Sequence, residues 1–87
     1  MYKVIIEDKA RKELKKMDKF QMKIVLRWIR NNLEGIDDPR KIGKALEGEL
    51  SDKWRYRVGN YRILAQIIDD KVLIKVVKIG HRKNVYK

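Results

Sequence analysis

Positively charged side chains, one histidine and one tyrosine gather in the last third of the chain. The set comprises Arg55, Arg57, Arg62, Lys78, His81, Arg82, Lys83 and Tyr86. A hydrophobic core cannot accept unpaired guanidinium groups, so the side chains of Arg55 and Arg57 must face water or an anion. An imidazole is suited to proton transfer because it titrates close to neutral pH. These residue types therefore predict one cationic patch that carries a histidine and a tyrosine.

Three runs of strand-like sequence position this patch. Ile and Val dominate residues 61–68 and 72–79, which suits a buried sheet, and Asp69-Asp70-Lys71 forms the turn between them. Residues 54–58 form a third, shorter strand that ends at the turn pair Gly59-Asn60. Because the connections are short, the sequence predicts that these strands are antiparallel neighbours.

Alternation along the strands decides which side chains share a face. Arg55 and Arg57 lie two residues apart, so they point to the same side of their strand. If this strand pairs with the next one as a hairpin, Arg62 lies at the same end of the sheet as Arg57. His81 and Arg82 follow the last strand and complete the patch.

The N-terminal half supplies the elements that cover the sheet. Residues 2–6 form a first strand, and two amphipathic helices are predicted over residues 8–17 and 19–33. Residues 36–53 form a connecting segment, with a short helical turn over residues 41–46. The sequence therefore predicts one domain over residues 1–87 in the α+β class. Its order is β-α-α-β-β-β, with a mostly antiparallel sheet, a helix pair packed on one face, and the arginine-bearing face open to a ligand.

Charge narrows the classes of partner. The 87-residue chain has a net charge of +11 and a pI near 10.0. Such an excess favours nucleic acid or another polyanion, although a solvated lysine-rich surface would look similar. The absence of cysteine excludes disulfides and cysteine-based zinc sites and is compatible with the reducing cytoplasm. No apolar run approaches the ~18 residues of a membrane span, so no membrane association is expected.

Two motifs connect the chain to a known family. They are W-R-Y-R-V-G-N-Y-R, within G-K-A-L-E-G-E-L-S-D-K-W-R-Y-R-V-G-N-Y-R-I-L, and G-H-R-K-N-V-Y, with I-D-D between them. At this spacing they resemble the RelE/ParE superfamily of toxins from bacterial and archaeal toxin–antitoxin systems, the RelE branch most closely. The resemblance covers nearly the whole chain. It implies a compact sheet like that of the microbial ribonucleases, with the helices packed behind it.

The resemblance also implies an activity. Toxins of the RelE branch are ribosome-dependent mRNA endonucleases that occupy the ribosomal A site and cut the codon there. The 2′-hydroxyl attacks the adjacent phosphate, so neither a metal nor a cofactor is required. A cognate acidic antitoxin wraps the toxin and blocks it. The expected partners are therefore an antitoxin, the ribosome and mRNA.

Individual residues match the family pattern with one departure. Arg62 and Arg82 match arginines that stabilise the phosphate, and Tyr86 matches a tyrosine that stacks on a base or assists proton transfer. Arg55 and Arg57 stand where well-known members carry lysines, one of them a proposed general base. Arginine stays protonated at neutral pH and is a poor base. Either the rate is lower, or His81 takes the acid–base role. Lys78 and Lys83 are expected to join Arg55 and Arg57 in binding RNA.

Two other functions fit the same residues. A ParE-like toxin would poison DNA gyrase without cutting RNA, and a non-catalytic basic module would bind nucleic acid by charge alone. His81, Arg82 and Tyr86 together favour the nuclease. Single residues also have simpler interpretations. His81 fits a solvated or hydrogen-bonded histidine without a catalytic role, and Arg55 and Arg57 fit a solvent-exposed face that binds no RNA.

Overall fold

The computed structural model describes residues 1–86 and consists of one sheet and two helices. The strands are β1 (Lys3–Ile6), β2 (Lys44–Ala45), β3 (Trp54–Val58), β4 (Tyr61–Ile68) and β5 (Leu73–His81). The helices are α1 (Asp8–Lys16) and α2 (Lys19–Asn32), and short 3-10 turns cover Gly48–Leu50 and Asp69–Lys71. The strands lie side by side in the order β1-β5-β4-β3-β2. The predicted α+β class is confirmed.

The sheet is mostly antiparallel, as predicted. β3 pairs with β4, and β4 pairs with β5, through the two short turns expected from the sequence. β1 joins the other side of β5 in parallel orientation. The register of β4 and β5 shifts between Leu64 and Ala65, which marks a β-bulge.

The predicted helical turn over residues 41–46 is wrong. Lys44 and Ala45 instead form β2, which pairs with Arg55 and Trp54 at the edge of the sheet. Gly43 lets the chain pass close to β3, because it has no side chain. Its φ is +80°, and a Cβ atom there would collide with the carbonyl oxygen of Arg55. The indole Nε1 of Trp54 also donates a 2.7 Å hydrogen bond to the carbonyl of Ile42. These contacts join residues more than ten positions apart, so local propensity did not reveal them.

Both helices have the predicted positions to within one residue at each end. The carboxylate of Asp18 accepts a 2.9 Å hydrogen bond from the backbone N–H of Gln21 and so caps the start of α2. After α2, Gly35 adopts a φ of +81°, and the N–H of Glu34 returns to the carbonyl of Ile29. The chain thereby leaves the helix and reaches the edge of β1.

The core fills the space between the helices and one face of the sheet. Its members from the helices are Ala10, Leu14, Val25, Ile29 and the following Leu33, and those from the strands are Tyr56, Val58, Ile63, Ala65, Ile74, Val76 and Ile79. Trp28 packs against this cluster, with its ring 5.9 Å from that of Tyr56. The buried hydroxyl of Tyr56 donates a 2.7 Å hydrogen bond to the carbonyl of Pro39, and burial raises its pKa. We call this side of the sheet the helix face.

Within residues 1–86, no helix is both long and apolar enough to cross a membrane.

Candidate functional site

Strand register brings the arginines together on the side of the sheet opposite the helices, which we call the arginine face. Arg57 lies directly opposite Arg62 in the β3–β4 pair, and Arg62 lies opposite Gly80 in the β4–β5 pair. Directly paired residues of antiparallel strands point to the same face. Arg55 is two residues from Arg57 and therefore shares this face. Tyr56 between them points into the core.

The turn formed by residues 82–86, which we call the C-terminal turn, completes the site. The N–H of Arg82 donates a 2.7 Å hydrogen bond to the carbonyl of Asn60, and the N–H of Val85 donates a 3.0 Å bond to the carbonyl of His81. The chain thus folds back over the sheet. A Cβ atom on Gly80 would lie 3.4 Å from Val85, so Val85 packs closely over Gly80. Tyr86 follows and reaches the neighbourhood of Arg62.

The guanidinium of Arg62 interacts electrostatically with its neighbours in this group. The pKa of Arg62 is lowered, first by burial and then by the positive charges of Arg57, Arg55 and Arg82, while Tyr86 acts in the opposite direction. The structure therefore brings Arg55, Arg57, Arg62, Arg82 and Tyr86 into one group. Like charges at this density repel one another unless an anion separates them.

These guanidinium groups lack an acidic counterpart in the part of the chain that the structure describes. The salt bridges of residues 1–86 lie elsewhere, between Lys16 and Glu13, Arg40 and Asp69, and Lys53 and Asp52. The Nε atom of Arg55 is buried and has no hydrogen-bond partner there. An unsatisfied buried donor costs about 1–3 kcal/mol. An anion bound among these guanidinium groups would relieve their mutual repulsion.

His81 lies on the opposite side of the sheet. It is paired with Tyr61, and the two rings meet edge to face at 5.7 Å. Its side chain lines a cleft of about 430 Å³ together with Lys9, Glu13 and Lys16 of α1. The structure therefore does not bring the His81 ring together with the arginines, although the two residues adjacent to it in sequence lie at the site.

The two predicted lysines occupy different positions. Lys78 is paired with Leu64 next to the β-bulge, lines the same cleft as His81, and is half-buried. Lys83 is exposed in the C-terminal turn. Both stand close enough in sequence to add charge to the edge of the site.

Lys44 and Asn60 belong to the site but were missed by the sequence analysis. Lys44 is paired with Arg55 in β2 and shares with Arg55 and Arg57 a cleft of about 360 Å³ that also contains Trp28. No local signal marks Lys44, because β2 is defined only by its pairing with β3. Asn60 holds Arg82 in place through its carbonyl. Its position in the Gly59-Asn60 turn was the available signal.

No metal site is evident among the described residues. Within residues 1–86, no group of three His, Cys, Asp or Glu side chains is arranged to hold a metal ion. The guanidinium groups of the arginine face are suited to the binding and stabilisation of phosphate.

Comparison with known proteins identifies relatives of the chain. Residues 4–86 match the family model described as the ParE toxin of the type II toxin–antitoxin system parDE. Toxin RelG of Mycobacterium tuberculosis is 28% identical over 86 residues, which cover 99% of this chain and 97% of RelG.

Solved structures show the same fold. In the toxin–antitoxin complex RelBE2 of M. tuberculosis, the matching chain is 28% identical with a TM-score of 0.84, covering 95% of this chain and 93% of that one. In the archaeal RelE–RelB complex of Pyrococcus horikoshii, the match is 27% identical with a TM-score of 0.70, covering 97% and 98%. The chain therefore belongs to the ParE toxin family of type II toxin–antitoxin systems, in the RelE-like branch of the RelE/ParE superfamily.

Proposed function

We propose that this toxin is a metal-independent mRNA endonuclease that acts in the A site of the ribosome. The observation that carries the proposal is the group of arginines on the arginine face, which has no carboxylate partner within residues 1–86. Such a group is suited to a phosphodiester, which brings negative charge without a metal ion. The similarity to RelG and to the toxin chains of the solved complexes also supports the proposed function. A ribosome-dependent activity places the toxin in the cytoplasm.

In the proposed reaction, the 2′-oxygen of the codon attacks the adjacent phosphorus. A bond forms between the 2′-oxygen and phosphorus, the bond from phosphorus to the 5′-oxygen breaks, and a 2′,3′-cyclic phosphate and a 5′-hydroxyl result. One proton leaves the 2′-hydroxyl and one joins the 5′-oxygen. Arg62 and Arg82 hold the non-bridging oxygens, whose negative charge increases in the transition state. Arg55 and Arg57 guide the RNA backbone towards them.

Proton transfer is divided between the toxin and its surroundings. Guanidinium groups remain protonated at neutral pH and cannot remove the proton of the 2′-hydroxyl. Tyr86 is half-exposed beside Arg62, where its hydroxyl can supply a proton to the 5′-oxygen or its ring can stack on a base. We assign removal of the first proton to a group of the ribosome or to solvent, because His81 lies on the helix face.

The experiment that tests the proposal compares translated and free mRNA. Purified toxin is added to a reconstituted translation reaction stalled at a defined codon, and the mRNA ends are mapped by primer extension. We expect cleavage within the A-site codon and none in the same mRNA without ribosomes. Intact mRNA on toxin-bound ribosomes would contradict the proposal.

A second candidate is inhibition of DNA gyrase, because the matching family model is that of ParE. Gyrase supercoiling assays with the same preparation distinguish the two. Inhibition of supercoiling together with intact mRNA on the ribosome would favour the gyrase function. Neither effect would favour a basic module that binds nucleic acid without catalysis.

The proposed partner in regulation is an acidic antitoxin. Phe20 and Ile24, which are 74% and 38% exposed, lie four residues apart on α2 and form an apolar stripe with Lys23 and Arg27 on neighbouring positions. A second copy of the toxin would bring another net charge of +11 to this surface. An acidic amphipathic segment complements both the apolar stripe and the charge. The chains similar to this one in the M. tuberculosis and P. horikoshii structures were solved in complex with antitoxins.

A further inference from the structure

The C-terminal turn must reverse the chain within five residues. His81 points to the helix face, whereas Tyr86 reaches the arginine face. Backbone N–H groups of the turn need acceptors for this reversal to persist. The N–H of Arg82 donates to Asn60, and the N–H groups of Asn84 and Val85 both donate to the carbonyl of His81, at 2.8 and 3.0 Å.

The N–H of Lys83, between those of Arg82 and Asn84, has a side chain as its acceptor. It donates a 3.3 Å hydrogen bond to the Nδ1 atom of His81. A side-chain acceptor that binds the N–H two residues ahead is the arrangement of an Asx turn, with imidazole in place of the usual carbonyl oxygen. His81 therefore accepts hydrogen bonds from three successive residues of the turn, two through its carbonyl and one through its ring.

The position of the ring is fixed by its second contact. Tyr61 meets the ring of His81 edge to face, with 78° between the ring planes. The charged groups that line the same cleft as this ring are Lys9, Glu13 and Lys16 on α1 and Lys78 on β5, and the backbone N–H of Lys83 binds the ring. An Nδ1 atom that accepts a hydrogen bond carries no proton, so a neutral ring carries its proton on Nε2.

We infer that His81 is a positioning residue, which holds Arg82 and Tyr86 at the scissile phosphate by accepting the hydrogen bond of the Lys83 N–H at Nδ1. The inference rests on the proposed nuclease function for its effect on rate, and on geometry alone for its effect on the turn. Losing the acceptor frees the Lys83 N–H and lets the turn shift. A displacement of the catalytic groups by about 1 Å can reduce a rate by 10²-fold.

Two variants separate positioning from proton transfer. His81→Asn retains an acceptor, because its carbonyl oxygen can bind the N–H two residues ahead. His81→Phe retains an aromatic ring against Tyr61 but has no acceptor. We expect single-turnover cleavage on the ribosome within about 3-fold of wild type for His81→Asn, and a loss of roughly 10²-fold for His81→Phe. The wild type and His81→Asn should share one pH–rate profile. If His81 instead carries the proton, both variants lose activity equally, and the profile of His81→Asn changes shape, which would overturn the inference.

The hydrogen bond between His81 and Lys83 can be tested without RNA, and therefore independently of the nuclease proposal. Nitrogen-15 NMR of the wild-type toxin above pH 8 should show an Nδ1 atom without a proton and a proton on Nε2. Amide exchange at Lys83 should be slowed in the wild type and in His81→Asn, and about 10-fold faster in His81→Phe. If the wild type cuts no mRNA but shows this pattern, the nuclease proposal fails while the positioning of the turn stands. Equal exchange in all three proteins, or a proton on Nδ1, would overturn the positioning.

Discussion

Arg57 and Arg62 face each other directly across β3 and β4. Like charges at paired positions of a sheet destabilise it, and burial of Arg62 adds to the cost, since its pKa is lowered. Nothing in the core requires either charge, because both side chains lie on the arginine face. The pair is therefore a local cost to stability that packing of the core does not require.

Replacing one member of this pair should stabilise the fold and weaken RNA binding. We expect Arg57→Gln to increase the free energy of unfolding by about 0.2–1 kcal/mol, the range for paired residues in a sheet. Urea unfolding at low salt measures this change, and a filter assay with short RNA measures affinity. Lys12→Gln removes one charge from the exposed surface of α1 and is the matched control. Reduced stability in Arg57→Gln would contradict the proposed repulsion.

Arg82→Ala should abolish cleavage while preserving the fold. The turn is held through the backbone N–H of Arg82, which the substitution retains. Losing a charge-assisted contact in the transition state costs about 2–4 kcal/mol, by analogy with a lost oxyanion donor. Growth arrest after induction and single-turnover cleavage on the ribosome measure the effect, and circular dichroism checks folding. A folded Arg82→Ala toxin that arrests growth as strongly as wild type would remove Arg82 from the mechanism.

Phe20→Gln should weaken antitoxin binding without affecting cleavage. Phe20 is 74% exposed, so the substitution removes little packing from the toxin alone. An apolar anchor at the centre of an interface contributes roughly 1–3 kcal/mol, and we expect titration calorimetry with the cognate antitoxin to show a loss in this range. The unfolding midpoint of the isolated toxin should stay within error of wild type. Unchanged antitoxin affinity would show that the partner binds a different surface.

Asp69 provides a pH-dependent contribution to stability. Its pKa is lowered mainly by a paired hydrogen bond from Arg40 and also by a 2.6 Å bond from the hydroxyl of Tyr2. A carboxylate with a lowered pKa stabilises the fold above its unfolded pKa, about 3.9 for aspartate, and loses this effect as pH falls through the folded value.

Asp69→Asn should therefore lower the urea midpoint at pH 7, and the difference from wild type should shrink as the solution is acidified below about pH 4. Asp70→Asn, at the adjacent exposed position, is the control. If the difference in urea midpoint stays constant between neutral and acidic pH, the effect of Asp69 does not depend on the charge of its carboxylate.

Gly43→Ala and Gly35→Ala form a matched pair. Both glycines have a φ near +80°, where a side chain adds about 1–2 kcal/mol of strain. At Gly35 a Cβ atom meets nothing within 4 Å, whereas at Gly43 it meets the backbone of Arg55 and the indole of Trp54. We expect Gly43→Ala to lose at least about 2 kcal/mol more than Gly35→Ala in urea unfolding, because the clash with the backbone of Arg55 adds to the strain. Equal losses would mean that β2 does not depend on this close approach.

The sequence by itself determined the elements whose signals are local. The two helices follow from apolar residues spaced three and four apart, and β3–β5 follow from β-branched runs separated by short turns. Alternation placed Arg55 and Arg57 on the face away from the core, because the period of a strand is two residues. The turn at Gly59-Asn60 brought Arg62 to the end of the sheet that carries Arg57, as the register confirms.

Only the tertiary structure decided which neighbours in sequence remain neighbours in space. β2 exists because Gly43 lets the chain pass close to Arg55, a contact between residues twelve apart. His81 and Arg82 are adjacent in sequence, and the sequence analysis placed them in one patch. The register that pairs His81 with Tyr61 holds its ring on the helix face, and the chain reversal in residues 82–86 carries Tyr86 to the arginine face. This separation depends on the hydrogen bond from Arg82 to Asn60 and on the packing of Val85 over Gly80, which no local sequence pattern records.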